Sequence, residues 1–269
     1  MNSAETYHGL SLRYDCDPAA LRQTLRERFV ALSLDDETRA FIDAAGQTRH
    51  GRTLALAHRL LRPFFSDFDI NGLLGTYPLF FLSRAQWAQI LGPNARGRLL
   101  DIGAASGEVT AKFAPLFDDV RATETSRPMA RRLRRRGIPC DVIDVATEAL
   151  LGTDFDVVSC LNVIDRCDRP RTLLKRAFAS LRPGGRLVVA SPLPLAPFVY
   201  VGGATVAPSE PISADGPSWE LSAGRLWHSV LSSLGGRLEL FARAPYLSVG
   251  DIHSELYVLD DAIFVIEKP

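Results

Sequence analysis

The sequence predicts an α/β protein with a mostly parallel sheet of seven strands, an antiparallel pair closing its C-terminal end, and a helical N-terminal segment. Three observations carry this. From Arg98 onward, short apolar runs alternate with helical patterns, as strands joined by crossover helices must. The last two apolar runs have no helix between them, which points to antiparallel pairing. Before residue 96, apolar residues recur at spacings of three and four.

In chain order, Asp17-Pro18 reads as a helix start, followed by the stripe Leu21, Leu25, Phe29 and Leu32. Leu54, Ala57, Leu60, Leu61 and Phe64 form a second stripe. Ser83 with Gln86 has capping-box spacing and opens a short helix through Leu91, which Gly92-Pro93-Asn94 breaks. Strands are expected at 98–103, 119–124, 141–144, 155–162 and 186–191, with helices at 107–116, 126–136 and 171–182. The closing pair is 238–245 and 262–269. Residues 191–218 hold six prolines (Pro192, Pro194, Pro197, Pro208, Pro211 and Pro217), so this stretch is expected to be an irregular loop, either a lid or a binding element. The organisation is therefore an N-terminal helical segment, 1–95, packed on a core of 96–269.

Composition narrows the function. The chain has 269 residues, 46% hydrophobic and 23% charged, which is ordinary for a globular protein. Its 31 Lys plus Arg balance 31 Asp plus Glu, which removes the electrostatic argument for nucleic-acid binding. Arg131, Arg132, Arg134, Arg135 and Arg136 put five arginines into six residues, and their helical setting makes a solvated face the preferred reading over a nucleic-acid surface. No apolar run is long enough to span a membrane, and the start MNSAETYHGL does not read as a secretory signal. The four cysteines lack metal-ligand spacing and the five histidines are scattered, so reduced thiols, no metal and an intracellular, cytoplasmic location are expected.

The chemistry begins at the first strand of the sheet. RLLDIG runs into Gly103-Ala-Ala-Ser-Gly107, a glycine turn that lets backbone approach a ligand at a helix N-terminus. Ala105 and Glu108 occupy the second and third glycine positions of a dinucleotide fingerprint, so a pyrophosphate cradle fits poorly. Glu124 ends the second strand, 23 residues after Asp101, where a carboxylate can accept both hydroxyls of a ribose. Asp144 ends the expected third strand, where adenine contacts arise. The fourth strand ends in SCLN (159–162), followed by VIDRCDRP. Distal pieces APYL (244–247), VGD (249–251) and LYVLDDA (256–262) complete the pattern.

Taken with LLDIGAASGEVT and ATETS, these segments resemble the class I S-adenosylmethionine-dependent methyltransferases and, within them, the DREV-type family of protein-L-histidine N-pros-methyltransferases. The resemblance covers Leu99 to the C-terminus and, more loosely, the N-terminal segment. Here Ala105 replaces the middle glycine of the family loop. The resemblance implies a seven-stranded Rossmann-like methyltransferase sheet, S-adenosyl-L-methionine as cofactor, and protein or peptide substrates carrying His-x-His motifs. It implies a cofactor site of Asp101, Gly103, Gly107, Glu124, Asp144, Asn162 and Tyr246. It places Asn162, Asp165 and Tyr257 at the target ring.

The chemistry asks for such groups. A neutral imidazole attacks through one nitrogen, and a carboxylate accepting the proton of the other fixes the tautomer and stabilises the growing cation. Asp165 is the candidate, with helix capping or pairing to Arg166 or Arg169 as its plain structural roles. Two other readings stay open: an RNA or small imidazole acceptor, and a cofactor-binding scaffold without catalysis.

Overall fold

A computed structural model describes residues 4–47, 67–75, 78–92, 95–148, 152–201, 204–250 and 254–269. The expected helical stripe 54–64 lies outside them. In chain order the elements are β1 (Glu5–Tyr7), β2 (Leu10–Leu12), α1 (Gln23–Arg26), α2 (Asp36–Gly46), α3 (Asp67–Leu74), β3 (Leu79–Phe80) and α4 (Arg84–Leu91). There follow β4 (Arg98–Ile102), α5 (Thr110–Phe113), β5 (Asp119–Thr123), α6 (Arg127–Arg135), β6 (Cys140–Asp141), β7 (Phe155–Leu161) and α7 (Pro170–Ala179). The chain ends with β8 (Leu181–Pro192), β9 (Val199–Val201), β10 (Ala204–Val206), α8 (Trp219–Ser229), β11 (Arg237–Val249) and β12 (Leu256–Glu267).

The main sheet runs β3-β11-β12-β8-β7-β4-β5-β6. Five neighbours, β8 to β6, pair in parallel, while β12, β11 and β3 pair antiparallel. The seven expected strands are all present, and the two-residue β3 adds an eighth at the edge. The central parallel strands β4 and β7 are almost continuously buried, since helices cover both faces. One apolar layer packs β7, β8 and β12 against α7, α8 and the 193–214 stretch. The other packs the opposite face against β2, α2 and α4.

Several local expectations change. The stripe Leu21–Leu32 is helical only over Gln23–Arg26, because the chain then extends to pair with β11: Phe241 N–H donates to Arg28 O and Val30 N–H to Phe241 O, both at 2.8 Å. Asp17 closes a turn by accepting from Ala19 N–H rather than starting a helix. A β1–β2 hairpin precedes it. The Ser83–Gln86 capping box forms in both directions, at 3.1 and 2.9 Å. The stretch 191–218 is not wholly irregular, since the β9–β10 hairpin forms in the proline-free gap between Pro197 and Pro208. The third parallel strand ends at Asp141, three residues before Asp144.

The arginine run lies on α6, whose Met129, Ala130 and Leu133 are buried. Arg134 donates to Cys140 O, Arg136 to Ser106 O and the Glu108 carboxylate, and Arg131 and Arg135 are exposed. No described helix is long and apolar enough to cross a membrane. None of the four cysteines forms a disulfide, and the described residues contain no metal-ligating cluster.

Candidate active site

The sheet's carboxyl edge gathers the site. After β4 the chain turns sharply, and Gly103 and Ala104 both donate to Thr123 O, at 2.9 and 3.2 Å. Gly103 has φ +70°, and a Cβ there would meet Val163 Cγ2 at 2.7 Å. That position demands glycine. Ala105 has φ +48°, left-handed backbone that disfavours a side chain. Its N–H donates to Glu124 Oε2 at 2.9 Å, and Gly107 N–H closes the loop onto Ala104 O.

Two buried carboxylates brace this loop. Asp101 accepts from Ser159 Oγ and Thr110 Oγ1, each at 2.6 Å, which locks β4 to β7 and α5. Burial pushes its pKa up to about 6, against the pull of those two hydroxyls. Glu124 accepts from Ala105 N–H through one oxygen and from Ser126 N–H, at 2.8 Å, through the other. Burial raises its pKa, while the backbone donors oppose the shift.

On the other side, Asn162 follows β7 with φ +56°, and its backbone N–H donates to Ala190 O of β8. Its buried amide makes no hydrogen bond among the described residues. Asp165 sits in the next turn, 2% exposed. One oxygen pairs with Arg166 at 2.7 Å, while Oδ1 has no hydrogen-bond partner among the described residues. It caps no helix, since α7 begins at Arg169 without a side-chain cap. Burial raises the Asp165 pKa and Arg166 opposes the rise.

Tyr246 is half-buried on β11. Burial raises its pKa first, and the negative charges of Asp261, Glu108, Asp101 and Asp165 raise it further.

The prolyl stretch is tied to the turn after β7. Phe198 N–H donates to Asp165 O, and the Arg166 guanidinium lies 3.9 Å from the Phe198 ring centroid. Ser209 donates to the Asp168 carboxylate through both N–H and Oγ, and Glu210 accepts from Thr172 N–H and Oγ1. Beneath, Arg243 makes a two-pronged ion pair with Asp260, at 2.8 and 2.5 Å, and lies 4.2 Å from the Trp219 ring centroid.

The structure brings Asp101, Gly103, Gly107 and Glu124 together at the ends of β4 and β5, and Asn162, Asp165 and Tyr246 beside them. Two expected residues stand further out. Asp144 accepts from Ala146 N–H and closes a turn beyond β6. Tyr257 pairs with Ser248 and is 43% exposed, on the face of β12 that also carries Asp261. Asp261 is the residue to which the sequence reading gave no role. Its signal is an acidic pair, Asp260-Asp261, inside an otherwise apolar strand, where the two-residue period must send one of the two acids to each face.

This sheet order, with its loop and strand-end carboxylate, defines a class I S-adenosylmethionine-dependent methyltransferase. The chain belongs to the DREV methyltransferase family, whose model matches residues 13–268. Among curated proteins it is similar to the ubiquinone biosynthesis O-methyltransferase of Ralstonia nicotianae, 27% identical over 139 residues, covering 49% of this chain and 56% of that protein. It is also similar to the mitochondrial enzyme of that name from Schizosaccharomyces pombe, 31% identical over 103 residues, covering 35% of this chain and 37% of that one. The chain thus spans about half or less of the curated relatives it matches. A putative methyltransferase from Bacillus halodurans shares the fold, with a TM-score of 0.50 and 15% identity over 69% of this chain and 98% of that one.

The residues present fit the methyl donor. The open-backbone loop over β4 leaves no room for a Cβ at Gly103, the Glu124 carboxylate keeps lone pairs beyond its two backbone bonds, and the Asn162 amide has no partner.

Proposed function

We propose that this chain methylates histidine in proteins or peptides, at the N-pros ring nitrogen of His-x-His motifs. The observation that carries this reading is the buried Asp165 carboxylate, with one oxygen unpartnered beside the end of β7. Bound S-adenosylmethionine supplies an electrophilic methyl group. In this reading Glu124, Gly103, Gly107 and Asp101 hold and shape the donor pocket, Asp144 borders its adenine end, and Asn162 and Tyr246 lie between donor and acceptor. Asp165 accepts the N–H of the far ring nitrogen, so the near nitrogen presents its lone pair. Arg166 holds the other Asp165 oxygen, and Phe198 with its loop excludes water. Tyr257 walls the mouth. The described N-terminal elements β2, α2 and α4 complete the cover.

A phenolic acceptor is the second reading, favoured by the ubiquinone biosynthesis O-methyltransferase names of the curated relatives. The test is mass spectrometry of a panel incubated with labelled donor: His-Ala-His peptides, single-histidine peptides and a hydroxylated quinol ring. Label on the first histidine's N-pros nitrogen is expected. Label on the quinol alone refutes the histidine reading.

A further inference from the structure

Asp261 is fully buried, and neither of its carboxylate oxygens has a hydrogen-bond partner among the described residues. The strand register explains why. Its cross-strand neighbours are Ala244 on β11 and Pro192 on β8, and neither side chain has a proton to donate. The adjacent Asp260 is in the opposite condition. It faces the other side of the sheet and takes two bonds from Arg243. The fold therefore satisfies one acid of the pair and leaves its neighbour bare.

That bare carboxylate is not isolated from the site. It shares a strand face with Tyr246, because Ala244 pairs with Asp261 and Tyr246 with Leu259. The Asn162 amide lies against it and eases its burial, without reaching ordinary hydrogen-bond geometry, and Asp165 and Asp260 are close enough to oppose its ionisation. Native proteins rarely leave buried polar groups unpaired, and each exception calls for an explanation, a functional role among them. The missing partner here is an N–H donor or a cation.

We propose that Asp261 is a second acceptor-binding carboxylate, placed to take a ring N–H of the acceptor segment that Asp165 does not hold. The assignment rests on the histidine reading above. There the segment brings two imidazoles, each with one N–H needing an acceptor, and Asp261 receives that of the unmethylated ring. The site then selects its motif by two buried carboxylates, and an acceptor with one ring leaves Asp261 bare.

The test uses the full chain with Asp261→Asn, and Asp261→Ala as a second variant. Peptides carrying His-Ala-His and His-Ala-Phe are titrated calorimetrically in the presence of S-adenosylhomocysteine, and their methylation is followed. Wild type is expected to bind the two-histidine peptide at least tenfold more tightly. Both variants are expected to lose that preference, to bind S-adenosylhomocysteine within threefold of wild type, and to melt at an equal or higher temperature, because a buried carboxyl without hydrogen-bond partners is gone. A preserved preference overturns the assignment. So does a parallel loss of S-adenosylhomocysteine affinity, which would move Asp261 into the donor pocket. A wild type that neither binds nor methylates the histidine peptide refutes the histidine reading and this assignment together. Wild-type methylation with indifferent variants refutes this assignment alone.

Discussion

Glu124→Gln tests the donor pocket and its scaffold together. In the folded chain one Glu124 oxygen accepts from Ala105 N–H at 2.9 Å and the other from Ser126 N–H at 2.8 Å. An amide keeps one oxygen acceptor and turns an N–H toward the remaining donor. One backbone N–H, in the glycine loop or at the start of α6, is then left unsatisfied. A hydrogen bond to a charged group contributes about 1.5–3 kcal/mol, and relief of the buried charge offsets part of its loss. A net cost of roughly 1–2 kcal/mol lowers Tm by about 2–8 °C in a chain of this size. Donor affinity changes separately. If Glu124 also accepts a ribose hydroxyl, the weakened bond costs at least about 1.4 kcal/mol, or tenfold in Kd. Differential scanning fluorimetry and calorimetry with S-adenosylhomocysteine read the two effects independently. A lowered Tm with an unchanged Kd would make Glu124 a brace for the loop only. No change in either would refute both roles.

Other outcomes follow from the same geometry. Ala105→Gly relieves left-handed strain of about 1–2 kcal/mol and adds unfolded-chain entropy of about 0.4–1 kcal/mol, so urea melts should show a net gain of roughly 0.5–1 kcal/mol; a loss refutes the strain. Asp165→Asn should lower kcat on a His-Ala-His peptide on the order of a hundredfold, a milder loss than the roughly ten-thousandfold of a triad Asp→Asn, with S-adenosylhomocysteine affinity within about threefold. Asp101 should make stability fall as pH rises. Its folded pKa stands above its unfolded value, so its contribution is full below pH 4 and is lost by pH 6, a displacement from 3.8 to about 6 that corresponds to roughly 3 kcal/mol. Urea melts from pH 4 to 7 should show this slope flattened in Asp101→Asn. Ser209→Ala removes a bond that latches the prolyl loop to Asp168 and should raise peptide KM severalfold while leaving the donor Kd alone.

The parallel half of the sheet was legible because buried parallel strands are continuously apolar and their crossovers are helical, and both patterns need only local sequence. The glycine turn, Asp101 and Glu124 were legible for the same reason: they sit at fixed offsets from strand ends. What was hidden depends on distant partners. Phe29 leaves its helical stripe because Arg28 and Val30 find the backbone of Phe241, more than two hundred residues away. Asp144 looked like a strand end because DVID alternates, but only Cys140 and Asp141 pair with β5. Proline counting over 191–218 overlooks the ten-residue gap between Pro197 and Pro208, where β9 and β10 pair. Asp261 was visible as an oddity, but its bareness follows from register against Ala244 and Pro192, which no local pattern encodes.

Charge distribution bears on the acceptor. The chain is neutral overall, yet Asp165, after β7, and Asp261, on β12, are both buried carboxylates, while the exposed arginines lie on α6 beside β5 and β6. From β12 to β5 is four strand spacings, roughly 19 Å. A phosphodiester at the ends of β7 and β12 would face those carboxylates, with the nearest arginine run across the sheet. A neutral imidazole meets the opposite situation. Methylation leaves a positive charge on the ring, and a carboxylate about 4 Å from it contributes up to ~4 kcal/mol at an effective dielectric near 20. That attraction is absent from the neutral ground state and grows as the bond forms, so it lowers the barrier rather than merely tightening binding. A neutral phenol gains no positive charge at the end of its reaction, so no such attraction grows along its path. A carboxylate at Asp165 thus favours an acceptor that becomes a cation, and this is the physical ground on which the histidine reading stands ahead of the phenolic one.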